Sequence, residues 1–272
     1  MTLQAKKHRV AIVLAGALVT VSGWMLLSPG VSANHTVLVE GEQDFDGDGR
    51  VGAAEDTDND TDRIFGTLTA ALGSANGGAN QNGRIVVVTS GRFPESLSIT
   101  GANGNVILEG APGVDVTIDA VLAGAMGNVQ RQGQVGITID APANRFIILR
   151  NLTIRNWATG IALLGDSHVT LDRVRLDSNL NFGIRSRNNS LVSISDSQVM
   201  ATGFRSAPGV NNVAAPGVGI SLEDVSSASI NATTVSGSFS TGIANVTTNS
   251  EGVRLLGNNV FANTPNLVGV FR

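Results

Sequence analysis

The sequence predicts an all-β solenoid, in which short strands wind into stacked coils. Three observations predict this class. Aromatic residues make up only 4% of the 272 residues while glycine occurs 33 times, a composition that suits short strands joined by tight turns. Apolar and polar residues alternate through the second half of the chain, which is the pattern of strands with one buried face. The pattern also repeats about every 23 residues, which leaves no room for crossover helices.

A Gly-Ile pair marks the repeats, at 160–161, 183–184, 219–220 and 242–243, with spacings of 23, 36 and 23 residues. We attribute the long spacing to an insertion of 13 residues, Arg205 to Gly217. A second insertion is predicted at Leu122 to Gln134. Each repeat holds three strands, so we expect three parallel sheets around one apolar core, which is a parallel β-helix.

Three sets of apolar residues are predicted to face this core. The first-strand set is Phe146/Ile148, Val169/Leu171, Val192/Ile194, Ala228/Ile230 and Val253/Leu255. The second-strand set is Leu152/Ile154, Val174/Leu176, Val199, Val235 and Val260. The third-strand set is Ile161/Leu163, Ile184, Ile220/Leu222 and Ile243. Residues that tolerate left-handed backbone are predicted at the turns between the first two strands: Asn151, Asp196, Asn231 and Asn258.

Residues 1–33 resemble an export signal. Basic residues precede an apolar run from Val10 to Leu27, and "SPGVSA" offers a cleavage site after Ala33. The alternative is an uncleaved membrane anchor, since the run of 18 residues is near the minimum length for a span. We favour cleavage, which predicts a protein that is secreted or held at the cell surface, with membrane contact only through an uncleaved signal segment.

Charge argues against a nucleic-acid partner. Without residues 1–33 the chain has 15 basic and 22 acidic side chains, so a basic footprint is absent. Nine of the acidic residues lie between Glu42 and Asp62. The chain has no cysteine, so disulfides cannot stabilise it.

The acidic tract, in the segment 34–63, predicts a calcium site. Its ligands are spaced as in the pattern D-x-[DN]-x-[DN]-G-x5-E: the side chains of Asp44, Asp46, Asp48 and Glu55, and the backbone carbonyl of Arg50. Calcium takes about six to eight oxygen ligands, which such a loop supplies. The loop resembles an EF-hand loop, but its flanks do not, and it is more similar to the calcium loops of dockerins. A solvated acidic linker is the alternative.

The start of the repeat region resembles the right-handed parallel β-helix superfamily, the pectate-lyase-like fold. Members begin with a short helix that caps the apolar core, and Thr67 to Ala75 can form such a helix with Leu68, Ala71 and Leu72 on one face. A characteristic line then follows, matched here by Val86, Val88, Gly91, Phe93, Glu95, Leu97 and Ile99. The resemblance implies a β-helix domain over residues 64–272, with the helix as its N-terminal cap.

The resemblance also implies two kinds of active site, either calcium with a basic residue, as in polysaccharide lyases, or clustered aspartates, as in hydrolases. Arginines at predicted outward positions are Arg150, Arg155, Arg173, Arg175, Arg185 and Arg187. Scattered acidic residues are Asp166, Asp172, Asp177, Asp196, Glu223 and Asp224. His168 is predicted at the surface. Trp157, Phe182 and Phe239 are interpreted as packing residues ahead of sugar-binding ones.

Two functions follow from these features, and the sequence leaves open whether the protein is an enzyme. The first is a secreted, calcium-stabilised β-helix directed at polysaccharide, through binding or lyase-type cleavage of an acidic glycan. The alternative is a non-catalytic structural or adhesive protein of the cell surface or matrix.

Calcium should stabilise the chain if the loop binds it. Metal bound only to the folded state adds stability by mass action, about 2.7 kcal/mol at a hundredfold excess over Kd. We expect chelation to lower the Tm of the wild type and to leave Asp48→Ala, already destabilised, unchanged. Thermal melts with calcium and with chelator measure this. A wild-type Tm that is the same with calcium and with chelator would show that the tract is a linker.

Overall fold

The computed structural model describes residues 35–39, 63–65, 67–75, 82–88, 90–120, 134–203, 217–224, 226–248, 252–269 and 271. All of them belong to one compact unit, Ala33–Arg272. The predicted signal peptide and the acidic tract from Asp44 to Asp62 lie outside the described residues. No helix in the described part of the chain is long and apolar enough to cross a membrane.

Within these ranges the strands form two parallel sheets. Sheet A contains β1 (His35–Val39), β2 (Arg63–Phe65), β3 (Asn82–Val87), β4 (Gly91–Phe93), β6 (Asn105–Gly110), β7 (Val116–Asp119), β9 (Phe146–Arg155), β11 (His168–Asp177), β13 (Leu191–Ser195), β14 (Gln198–Met200), β16 (Ser227–Asn231), β17 (Thr234–Ser236), β19 (Val253–Leu256) and β20 (Val260–Ala262). Sheet B contains β5 (Leu97–Thr100), β8 (Val135–Asp140), β10 (Thr159–Leu163), β12 (Phe182–Ser186), β15 (Val218–Leu222), β18 (Thr241–Asn245) and β21 (Leu267–Gly269).

The predicted parallel β-helix is confirmed, with one difference in sheet count. Sheet A has two arms: β3, β6, β13, β16 and β19 belong to the first, and β4, β7, β14, β17 and β20 to the second. The long strands β9 and β11 run through both arms. Two hydrogen-bonded sheets therefore form where three were predicted, because these strands continue across the corner.

The predicted capping helix is confirmed as α1 (Leu68–Ala75). Leu68, Ala71 and Leu72 are buried against the core. Both carboxylate oxygens of Glu95 accept backbone N–H groups of the first turn, from Leu68 at 2.9 Å and Thr69 at 2.8 Å. A carboxylate there satisfies free donors and complements the helix dipole, so the glutamate before β5 holds the helix over the end of the coil.

The third-strand isoleucines form a continuous row of the core. Register pairs Ile161 with Ile184, Ile184 with Ile220 and Ile220 with Ile243 across sheet B, and all four are fully buried. The row begins earlier than predicted, at Gly136–Ile137 on β8. Each isoleucine thus packs on its equivalents in the neighbouring coils.

The glycines of the Gly-Ile pairs are required by close packing. A Cβ added at Gly160 would lie 2.9 Å from Leu176 Cδ2, and one at Gly183 would lie 2.5 Å from Val199 Cγ1. These neighbours are buried residues of the second arm. Any larger residue would force sheet B away from that arm, so the repeated glycine sets the narrow width of the coil.

The predicted left-handed corner exists, but two of its residues are displaced by one position. Asn151 and Asp196 have φ of 53° and 49°, as predicted. In the later coils Ala232 and Gly257 take this conformation, where Asn231 and Asn258 were predicted. The corner row also includes Arg173, with φ of 54°.

The predicted core phase is wrong at two places. Ile147 and Leu149 are buried in β9, whereas Phe146 is 51% exposed and Ile148 half-buried. Four consecutive apolar residues carry no alternation, and the register with β11 decides their phase.

Val260 is likewise 55% exposed, since Phe261 pairs with Val235. The remaining first-strand and second-strand positions of the predicted core are buried, apart from the half-buried Leu255.

Gly183→Ala should be strongly destabilising. Its new Cβ would overlap Val199 and the carbonyl of Gly219, and overpacking of a core costs about 1–3 kcal/mol. Gly73→Ala is the matched control, because nothing lies within 4 Å of its added Cβ and alanine favours a helix. Denaturant unfolding compares the two. Equal stabilities would contradict the packing role of the glycine row.

Candidate functional site

The outer face of sheet B carries one cluster of long polar side chains among small ones. Arg185 of β12 lies between Ala162 of β10 and Ser221 of β15 in register. The same row continues to Thr138 on one side and Ala244 on the other. Small neighbours leave a flat strip from which the arginine projects.

Arg185 and Arg187 share the carboxylate of Glu223. Arg185 donates from Nε to Oε1 at 2.8 Å and from Nη2 to Oε2 at 3.0 Å, a bidentate pair. Arg187 donates from Nε to Oε2 at 3.0 Å. The carboxylate also accepts the Ser221 hydroxyl at 3.1 Å. Two guanidinium groups thus share one carboxylate, and Asp224 beside it makes the number of positive and negative side chains equal.

The Phe182 ring also helps to hold Arg185 in position. The guanidinium carbon lies 4.8 Å from the ring centroid, within the range of a cation–π contact. Ring and carboxylate together fix the guanidinium plane. Phe182 is half-buried, so it combines packing with a surface role. Trp157 is buried, as predicted, while Phe239 is 55% exposed, which contradicts a purely packing role.

The ionisation of Glu223 is tuned by its two partners. Burial alone would raise the pKa of its carboxyl, but hydrogen bonds from Arg185 and Arg187 outweigh it and hold the pKa below the usual 4.5. The group is therefore charged at neutral pH and serves to orient guanidinium groups. A carboxylate in this state is a poor proton donor.

Each predicted insertion precedes a strand of sheet B. The chain returns to the sheet at β8 after the first and at β15 after the second, and β10 and β12 lie between these strands. The ends of the second insertion meet, since a Cβ added at Gly203 would overlap the Cα of Gly217. Phe239 contacts both glycines. The coil is thus closed where Gly203 and Gly217 meet.

Two described acidic residues at the ends of sheet B strands, Asp140 and Glu223, are too far apart to form a hydrolase pair. Asp140 ends β8, while Glu223 follows β15, three strand spacings away. That separation is about 14 Å, whereas paired catalytic carboxylates of glycosidases lie roughly 5–9.5 Å apart. In the described part of the chain, no group of three His, Asp or Glu side chains could hold a metal ion.

The other predicted arginines do not converge on this cluster. Arg150, Arg155, Arg173 and Arg175 lie on sheet A, and each is paired with a carboxylate. Among their partners, the sequence reasoning missed the buried Glu109 and Asp119. Aligning the outward positions of successive repeats would have placed these carboxylates beside the arginines.

The remaining candidates are dispersed. Asp166 is exposed, and Asp196 lies at the corner of sheet A. Asp224 accepts the backbone N–H of Asn188 at 3.0 Å. His168 is half-buried, with its ring centroid 6.3 Å from that of Phe146.

The predicted calcium ligands, Asp44, Asp46, Asp48, Arg50 and Glu55, lie outside the described residues. The calcium loop therefore stays a prediction.

The stacked coils and their outer-face cluster define a β-helix protein. Residues 97–261 match the family described as "Right handed beta helix region", and the chain belongs to that family. A crystal structure of a pectin methylesterase in complex with a hexasaccharide is similar, with 14% identity and a TM-score of 0.37 over 85% of this chain and 71% of that one. No curated protein matches the chain.

Glu223→Gln should lower stability at neutral pH but not in acid. The folded-state pKa of Glu223 is depressed, so its contribution is present above the unfolded-state pKa and is lost as pH falls through the folded one. We expect a deficit below about 1 kcal/mol at pH 7 that vanishes in strong acid. Denaturant unfolding across pH measures it, with Asp166→Asn as an exposed control. A deficit independent of pH would contradict the ion pair.

Proposed function

We propose that the protein binds an acidic polysaccharide along the outer face of sheet B. The observation that carries the proposal is the pair of guanidinium groups held by one carboxylate on a strip of small residues. Arginine recognises carboxylates through a rigid fork of donors. Arg187 is the contact group, because it is 41% exposed and only its Nε is engaged by Glu223.

The shape of the strip supports a polymer ligand. On either side of Arg185 the outward row is made of the small residues Thr138, Ala162, Ser221 and Ala244, so a linear chain can lie across these strands beside the arginine. The Phe182 ring adds an apolar surface of the kind that packs on sugar rings. The Arg187 guanidinium, which is more exposed than its Glu223 partner, favours uronate-containing chains over neutral ones.

Binding is supported better than cleavage. The carboxylate that lies between the arginines is fully ionised at neutral pH and committed to two ion pairs. Arg185 is engaged by both Glu223 oxygens and by the ring, so its guanidinium is committed to contacts within the protein. Secretion and stabilisation by calcium complete the proposal, and both are supported by sequence patterns alone.

Arg187→Gln should weaken binding to polygalacturonate roughly tenfold, because loss of a charge-assisted contact costs about 1.5 kcal/mol. Arg254→Gln is the matched control, since it removes an exposed arginine from sheet A. Isothermal titration measures affinity, and ultraviolet absorbance of unsaturated products measures cleavage by a lyase.

Two results would count against the proposal. Wild-type protein that binds no uronate polymer would favour the structural or adhesive alternative. Unsaturated product formed by the wild type and lost in Arg187→Gln would show an enzyme where we propose a binding protein.

A further inference from the structure

A second concentration of arginine lies on the outer face of sheet A. Six arginines occupy it, with four carboxylates: Arg84, Arg92, Arg150, Arg155, Arg173 and Arg175, with Glu109, Asp119, Asp172 and Asp177. The sheet B cluster contributes none of these residues. The face is therefore a separate surface, and with the exposed Asp196 at its corner the cationic and anionic groups are nearly equal in number.

The arginines form two tracks that follow the solenoid axis. On the first arm, Arg84 lies on β3 and Arg150 on β9, and Arg173 stands at the corner of β11. Its ion pairs are continuous, because Glu109 joins the first two arginines and Asp172 joins the last two. The track crosses three strand spacings, about 14 Å.

The second track lies on the second arm. Arg92 of β4 and Arg175 of β11 are in one row, three strand spacings apart, and Arg155 of β9 is in the adjacent row. Asp119 joins Arg92 at 2.5 Å and Arg155 at 2.7 Å. The two tracks thus run side by side over the same coils.

In every ion pair of this face the arginine is more exposed than its carboxylate. Asp119 is 1% exposed, against 46% for Arg92. Glu109 is 7% exposed, against 30% for Arg150. The carboxylates lie beneath the guanidinium groups and hold them in place. An approaching ligand meets positive charge first, although the counts of charge are nearly balanced.

We propose that these two tracks bind a sulfated polysaccharide, independently of the site on sheet B. A sulfate ester keeps its charge at any physiological pH and has three terminal oxygens. It can therefore accept from two neighbouring guanidinium groups, such as Arg150 and Arg173, while Asp172 keeps its own bonds beneath. A ligand carboxylate has only two oxygens, and the protein's own carboxylates already bind these guanidinium groups in the same way.

The track residues argue against a nucleic acid as the ligand. The two tracks are built of arginine and carboxylate side chains, and the ring pair of this sheet, Phe146 and His168, lies at the start of β9 and β11, outside the tracks. The tracks themselves therefore offer no ring on which bases would stack. The described part of this face is sheet, and it presents no helix for a DNA groove. A flexible sulfated chain needs neither feature.

The double variant Arg173→Gln/Arg175→Gln tests the tracks. Both side chains are exposed and pair with carboxylates close in sequence, Asp172 and Asp177, so the fold should be unaffected. We expect about tenfold weaker binding to dextran sulfate at low salt, and a slope of log Kd against log salt that is smaller by roughly 1.5. Titration with dextran sulfate at several salt concentrations measures both.

Two matched controls distinguish loss of the tracks from a general loss of positive charge. Arg254→Gln removes an arginine from β19 of the same sheet, three strands beyond β11, and should bind dextran sulfate as the wild type does. Arg187→Gln should also bind it normally, because that residue belongs to sheet B. The two sites are tested separately. Arg187→Gln should lose binding only to polygalacturonate, and Arg173→Gln/Arg175→Gln should lose binding only to dextran sulfate.

Three outcomes would overturn the proposal. The first is no binding of dextran sulfate by the wild type at moderate salt. The second is equal loss in Arg254→Gln, which would indicate general charge attraction. The third is tighter binding of polyphosphate or single-stranded DNA than of dextran sulfate, which would make the ligand a phosphate polymer.

Discussion

The fold depends on stacking identical apolar positions in register from coil to coil. Each sheet B isoleucine packs on its counterparts one coil before and after, and the strands that carry them exchange backbone hydrogen bonds. The stack is possible only because a glycine precedes each isoleucine and lets sheet B approach the second arm. The same register fixes the position of every outward residue along the solenoid axis. It therefore also sets the distance between charged side chains on successive coils.

The surface electrostatics follow from that spacing. Outward positions lie one strand spacing apart, about 4.8 Å, which lets an arginine on one coil reach a carboxylate on the next. The short acidic side chains stay near the sheet, whereas the longer arginines extend over them, as Asp119 and Arg155 illustrate. Burying a paired carboxylate adds little net stability. It does restrict the guanidinium groups, and preorganised donors lose less entropy when a ligand binds.

The fold alone does not assign a function, since function belongs to sites placed on folds. Here the sites are two arginine surfaces that differ in construction. On sheet B, one carboxylate and one aromatic ring position two arginines on a flat strip. On sheet A, buried carboxylates support two longer tracks. Both sheets turn their apolar rows toward one core, so the two surfaces face different directions and can engage different chains.

The sequence by itself determined the class of fold, the capping helix and the third-strand core, because glycine, isoleucine and the strand period repeat at short range. It also placed Arg185 and Arg187 at outward positions. Tertiary structure decided the phase of the run Phe146–Leu149, since four apolar residues have no alternation and the register with β11 selects which two are buried. It also decided which arginines share a surface. Residues such as Arg185 and Glu223 are 38 positions apart, and only the winding of the coils brings their strands together.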